Sequence, residues 1–246
     1  MRFFLQFSYN GTRYHGWQSQ PNAITVQETL TKALSVVLNQ EKMDIMGAGR
    51  TDTGVHARQM FAHFDYENSI DVKTTVHKLN SYLPKDIAVS DIIEVSENAH
   101  ARFDATQRTY EYHINWTKNV FLDELSWYYA KPLNVEAMNE AANLLLNFTD
   151  FQCFSKVHTD VNTFNCKITH AKWERIGDQL IFTISADRFL RNMVRAIVGT
   201  LVYVGLGKIS KRDFIAIIES KDRKKAGFSV PAHGLYLTQI KYDYIK

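Results

Sequence analysis

With 246 residues, 45% of them hydrophobic and 22% charged, the chain has a globular composition that argues against disorder. Two cysteines, Cys153 and Cys166, cannot build a disulfide scaffold, and a reducing cytoplasm is the expected setting. The N-terminus has no signal-peptide pattern, and no run of about 18 apolar residues is free of charge, so neither export nor a membrane span is expected. The net charge of +3 divides unevenly: residues 1–105 carry 10 Lys and Arg against 12 Asp and Glu, and residues 106–246 carry 19 against 14.

Alternation of Phe3, Leu5, Phe7 and Tyr9 predicts a strand over Arg2–Tyr9, followed by a loop through Pro21. The run TVQE at residues 25–28 has the spacing of a capping box, and Val26, Leu30, Ala33, Leu34 and Val37 follow at helical intervals. Strands are predicted at Met43–Gly47 and Gln59–Tyr66, a helix at Val72–Ser81 ending before Pro84, and a strand at Ile87–Val95. This βαββαβ order is that of a ferredoxin-like unit.

The order then repeats. Strands are predicted at Thr109–Trp116, Ile168–Arg175, Leu180–Ala186 and Leu235–Tyr242, with helices at Val135–Leu146, Phe189–Val204 and Lys211–Glu219. The fold class expected is α+β, with two ferredoxin-like, RRM-like halves around a central cleft. Residues 1–105 form the first half and residues 106–246 the second, and the lack of a Pro/Gly/Ser linker suggests that the halves pack tightly.

The segment GAGRTDTGVHA at residues 47–57 is the most unusual stretch. Its glycines reach backbone conformations closed to other residues, and it carries Arg50, Asp52 and His56. A carboxylate beside a guanidinium suits a site that keeps an aspartate ionised and nucleophilic. The plainer reading is a Gly-rich turn with a surface ion pair. Asp52-Thr53-Gly54 also matches the aspartic-protease triplet, but that chemistry needs two such carboxylates and only one triplet occurs.

Arg191 and Arg195 are four apart on the predicted Phe189–Val204 helix, with Arg188 a turn earlier, and form either a solvated stripe or a cationic wall for phosphates. Lys221, Arg223, Lys224 and Lys225 make a second basic cluster. Arg108, Tyr110 and Tyr112 share one face of a strand, as core or as a surface where a ring stacks on a base. No pair of His or Cys has metal-ligand spacing, and no phosphate-binding or dinucleotide glycine motif occurs, so neither metal nor cofactor is expected.

Taken together, YNGTRYHGWQSQP (9–21), TVQE (25–28), GAGRTDTGVHA (47–57), ARF (101–103), RTY (108–110), FLRNMVR (189–195) and GLYL (234–237) resemble the bacterial tRNA pseudouridine synthase A family. The blocks lie in order over nearly the whole chain. The resemblance implies the pseudouridine synthase fold and conversion of uridine to pseudouridine at positions 38, 39 and 40 of the tRNA anticodon stem-loop. It also implies a homodimer and no cofactor. Asp52 matches the essential aspartate, Arg195 the basic residue paired with it, Tyr110 the tyrosine under the uracil ring and Leu235 an apolar residue beside the base. Arg50 resembles the arginine that supports a flipped nucleotide, while Arg188, Arg191 and the 221–225 cluster are expected at phosphates. A catalytically silent RNA-binding protein is the competing expectation, although an RNP1 aromatic pattern is missing.

Overall fold

The computed structural model describes residues 1–156 and 162–245. The chain divides into two compact units, one of Met1–Thr106 with Tyr236–Lys246, the other of Gln107–Leu235.

In the first unit β1 (Arg2–Tyr9) is followed by α1 (Val26–Val37), β2 (Met46–Gly47), β3 (His56–Asp65), α2 (Val72–Tyr82) and β4 (Ile87–Val95). Thr25 caps α1, its hydroxyl accepting from Glu28 N–H at 3.3 Å, and the Asp71 carboxylate accepts from Thr74 N–H at the head of α2. β1 is central, pairing antiparallel with both β3 and β4, and β2 pairs antiparallel with β3. This is the ferredoxin-like order. Asn80 of α2 brackets the Val89 backbone with two bonds of 2.8 Å, tying helix to strand.

Two expectations change here. The strand predicted over Met43–Gly47 is ordered as strand only at Met46–Gly47, although Met43 and Ile45 are buried. The alternation read in β1 also misses Phe4, which is fully buried on the opposite face, where the Tyr242 ring meets it edge-on at 5.2 Å. A residue far along the chain therefore covers the second face of this strand.

The second unit begins with β5 (Gln107–Asn115), joined by a short parallel strand β6 (Trp127–Tyr128) that the sequence did not suggest. α3 (Val135–Leu144) follows, capped by Asn134, and then the hairpin of β7 (Ile168–Ile176) and β8 (Gln179–Ala186). β8 lies between β7 and β5, antiparallel to both. Asn139 of α3 brackets the Trp173 backbone at 2.7 and 3.0 Å, the same helix-to-strand device that Asn80 provides in the first unit.

α4 (Met193–Gly205) is the core of this unit: eleven of its residues are buried. A Cβ on Gly199 would lie 1.8 Å from the Phe228 carbonyl oxygen, so a glycine there lets the chain at 227–230 lie directly on the helix. α4 ends in a Schellman motif, with Lys208 N–H donating to Tyr203 O and Gly207 N–H to Val204 O. α5 (Lys211–Glu219) carries a complete capping box between Ser210 and Asp213. From Tyr236 onward the last strand, β9 (Leu235–Lys241), belongs to the first unit, where it runs parallel to β3 with His56 opposite Tyr236. No described helix is long and apolar enough to cross a membrane.

Candidate active site

In the first unit the Gly-rich segment is seated on the residues that follow β1. A single 3-10 turn, Gly11–Arg13, is opened by Asn10, whose side chain accepts from Thr12 N–H. Main chain then meets main chain: Trp17 N–H donates to Thr51 O (3.3 Å) and Gly54 N–H to Tyr14 O (3.4 Å). The hydroxyls of Tyr9 and Thr51 are 2.9 Å apart. Such an approach excludes side chains, since a Cβ on Gly11 would lie 2.0 Å from Val55 O and one on Gly16 2.3 Å from Thr51 O. Gly16 also has φ +86°, in the left-handed region.

Asp52 lies in this seated loop, half-buried, its carbonyl accepting from Val55 N–H at 3.2 Å. Arg50 and Thr53 are exposed. His56 closes the loop: it is buried, its Nδ1 accepts from Gly11 N–H at 3.0 Å, and its ring stacks on Tyr236 at 4.6 Å. The Arg58 guanidinium lies over the same tyrosine ring, 5.2 Å from its centroid.

In the second unit Tyr110 is half-buried on β5, its ring edge-on to Phe189 at 5.1 Å. Tyr112 is core: fully buried, it donates its hydroxyl to Pro231 O at 2.8 Å, and burial pushes its phenol well above the usual range. Val230–Leu235 is the hub here. Val230 O accepts from Arg195 Nε at 2.7 Å, and a Cβ on Gly234 would lie 2.7 Å from the Tyr112 ring, so Leu235, itself buried, follows directly on that contact. Arg195, Tyr112 and Leu235 are thus gathered by a segment whose Val230 and Pro231 had no role in the sequence reading.

The helix expected over Phe189–Val204 begins only at Met193. Asn192 stands before it with φ +67°, and Met193 N–H closes a turn onto Leu190 O. Arg188 and Arg191 therefore lie on a loop and share no helical face with Arg195, contrary to the i, i+4 reading. Leu190 is buried just as a helix would bury it, which is why periodicity ran through the turn. Arg195 falls in the first turn of α4, where a cation opposes the helix dipole and concentrates positive potential.

The loop before α4 is organised by Asp187, whose Oδ1 accepts from Lys167 N–H and Arg188 N–H, both at 2.7 Å. Its carbonyl accepts from Arg108 Nη1 at 2.8 Å, tying the β5 arginine to this loop. In the second basic cluster, Lys221 pairs with Asp150 at 2.7 Å and Arg223 donates to Gly227 O and Ser229 Oγ, both at 2.9 Å. Lys224 and Lys225 are exposed. Cys153 and Cys166 are buried free thiols, both pushed up to about 12 by burial. Among the described residues no group of three or more His, Cys, Asp or Glu is arranged to hold a metal ion.

A family model described as tRNA pseudouridine synthase matches residues 6–104 and 141–243, ranges that contain Arg50, Asp52, Arg195 and Leu235. The chain belongs to the tRNA pseudouridine synthase family. Tyr110 lies between the two matched ranges. The tRNA pseudouridine synthase A of Parabacteroides distasonis is 52% identical over 242 residues, 98% of this chain and 96% of that protein. That of Thermoanaerobacter sp. is 43% identical over 241 residues, covering 95% of this chain and 96% of its own. The Bacillus subtilis protein of the same name is 39% identical over 246 residues, 99% of this chain and all of its own length. The α+β architecture is accordingly the pseudouridine synthase fold, and the enzyme is an isomerase of uridine in tRNA.

Proposed function

We propose that this tRNA pseudouridine synthase acts on uridines 38, 39 and 40 of the anticodon stem-loop, with Asp52 as the nucleophile or base. The observation that carries the reading is the seat of Asp52: a half-buried carboxylate on a loop fixed by main-chain bonds to residues 14–17. Such a seat holds a reacting group in place without rearrangement on binding.

The reaction breaks the N1–C1′ glycosidic bond, turns the base, and joins C5 to C1′; the C5 proton is lost and N1 ends protonated, so the product is an isomer of the substrate. Bonds lost and gained are alike, so no external energy source is required. The target base must leave its stack, at a cost of a few kcal/mol. In this reading Tyr110 stacks on the uracil ring, Leu235 packs beside it, Arg195 pairs with the aspartate, and Arg50 supports the extruded nucleotide. Arg188 and Arg191, with the exposed Lys224 and Lys225, contact phosphates. The enzyme works as a cytoplasmic homodimer.

Tritium release from tRNA labelled at C5 of uridine tests this. Asp52→Asn is expected to lower release by about 10³-fold or more while leaving tRNA affinity within about threefold. Release equal to wild type removes Asp52 from the chemistry. Wild type that binds tRNA but releases no tritium favours the silent RNA-binding protein. Labelled uridine confined to positions 38–40 decides the positional assignment.

A further inference from the structure

The turn after β4, Ala99–Asp104, is tied down at nearly every residue yet displays a large ring to solvent. Arg2 Nη1 donates to Ala99 O at 3.0 Å, and Ala99 N–H to Ser96 O at 2.9 Å. His100 N–H donates to Asp104 Oδ2 at 2.8 Å and Asp104 N–H returns to His100 O at 3.0 Å. His100 Nδ1 accepts from the backbone N–H groups of Arg102 (3.1 Å) and Phe103 (3.3 Å). Ala101 is fully buried; its N–H donates to His63 Nδ1 at 3.2 Å and its carbonyl accepts from the Tyr242 hydroxyl. The Tyr244 hydroxyl completes the frame on Asp104 Oδ2 at 2.8 Å.

From this fixed turn Phe103 projects with 74% of its surface exposed. Its ring is 4.2 Å from the His100 ring, and the Arg102 guanidinium lies 5.6 Å from its centroid. Burying a phenylalanine is worth about 1.5–3 kcal/mol, a gain that this turn forgoes while holding the ring in a fixed place. Ser96, Glu97 and Asn98, which precede the turn in the chain, are polar and exposed, unlike the contiguous apolar stretch of a packed protein interface. An exposed ring backed by a histidine ring and with a guanidinium nearby matches what single-stranded nucleic acid requires, a stacking plane for a base and a cation for the neighbouring phosphate.

We propose that Phe103 and Arg102 form a stacking platform for an unpaired base of the RNA substrate, Phe103 taking the face of the base and Arg102 the adjoining phosphate. The inference rests on the reading of the chain as an enzyme of tRNA, to which it adds a contact outside the Asp52 loop.

The test is binding of unmodified tRNA to the full-length protein carrying Phe103→Ala, Phe103→Leu or Phe103→Trp, with turnover measured alongside. Phe103→Ala and Phe103→Leu are expected to weaken binding about tenfold or more, and Phe103→Trp to hold it near wild type. Ultraviolet crosslinking should place a nucleotide on the peptide containing Phe103. Arg102→Ala should lower the slope of log affinity against log salt by about one. Because the Phe103 ring is exposed, the melting temperature should not move, which separates lost contact from lost fold. Equal tRNA affinity in wild type and Phe103→Ala overturns the platform. Dissociation of a dimer by Phe103→Ala, with affinity per subunit unchanged, also overturns it and assigns the ring to a second copy of the chain. A wild-type protein that neither binds nor isomerises tRNA defeats the family reading itself, whereas wild-type turnover with unchanged Phe103→Ala binding defeats the platform alone.

Discussion

The Asp52 segment is seated mainly by main chain against main chain, with Tyr9 and His56 side chains adding to it, whereas the segment before α4 leans more on side chains: Asp187 collects two backbone N–H groups and an arginine, and Asn192 Nδ2 donates to Ser229 Oγ at 2.7 Å. Backbone packing demands glycine at particular places, so the first segment is written in sequence as a dense motif with a matching glycine pair at Gly11 and Gly16. Side-chain anchoring can be spread over residues far apart, so the second leaves little local signature. Nothing local marks Asp187, and the apolar periodicity runs as helix straight through the turn at Asn192.

The comparison is sharpest at the glycines. Gly16→Ala forces a Cβ toward Thr51 O at a positive φ, and Gly199→Ala forces one toward Phe228 O in the core. Each is expected to cost about 3 kcal/mol or more and to lower the melting temperature by roughly 6–12 °C. Gly16→Ala should in addition abolish tritium release from any protein that remains folded, because it displaces the Asp52 loop. If Gly16→Ala stays fully active, main-chain seating is not what positions Asp52.

Acid should loosen the first unit through His63. Burial, with His100 and Arg2 adding to it, pulls this histidine down to about 4. Because the folded value lies below the unfolded one of 6.5, the unfolded chain takes up the proton first. The stabilisation is complete above about pH 6.5 and is lost as pH falls from there toward 4, by on the order of 2–3 kcal/mol. Melting temperatures across this range should show the fall for wild type and a flatter profile for His63→Asn. Hydrogen exchange should report earlier opening at Ala101, whose N–H the histidine accepts; protection there that does not change with pH would exclude His63 as the cause.

A smaller effect is expected at Asn192. Asn192→Ala both strains the positive φ and removes the bond to Ser229, costing about 1–2 kcal/mol, while Asn192→Gly keeps the conformation and should cost about half as much. Equal losses in urea melts would mean that the φ carries no strain. The smallest effect is at the thiols. With both raised to about 12, Cys153 and Cys166 should resist alkylation at pH 8 in the folded protein and react on denaturation, with no loss of turnover beforehand.

Much of the fold was legible because local rules decided it. β4 and α5 have the bounds that alternation and helical spacing predict, and the two asparagine brackets sit on elements already located by pattern. The α4 interior was misread in character: a helix expected to show a basic stripe is buried almost all round, since only Arg195 of the three arginines belongs to it. Lys221 and Arg223, expected at phosphates, also have partners within the chain: Asp150 for Lys221, and the Gly227 carbonyl and Ser229 hydroxyl for Arg223. A charged residue carries no local mark that tells an internal partner from an external one.

By itself the sequence determined the order of the strands and helices apart from the short β6, the glycine-dense loop around Asp52, and the family to which these blocks belong. Each depends on neighbours along the chain or on a motif too specific to arise by accident. Tertiary structure decided where α4 begins, what covers Phe4, how residues 14–17 hold the Asp52 loop, and that Arg195 is anchored on Val230, 35 residues away. It also decided that Phe103 stands in water on a fixed turn. Periodicity reports which face of an element is apolar, but the partner of a polar group and the path of a loop depend on contacts between residues distant in sequence, and no local pattern encodes these.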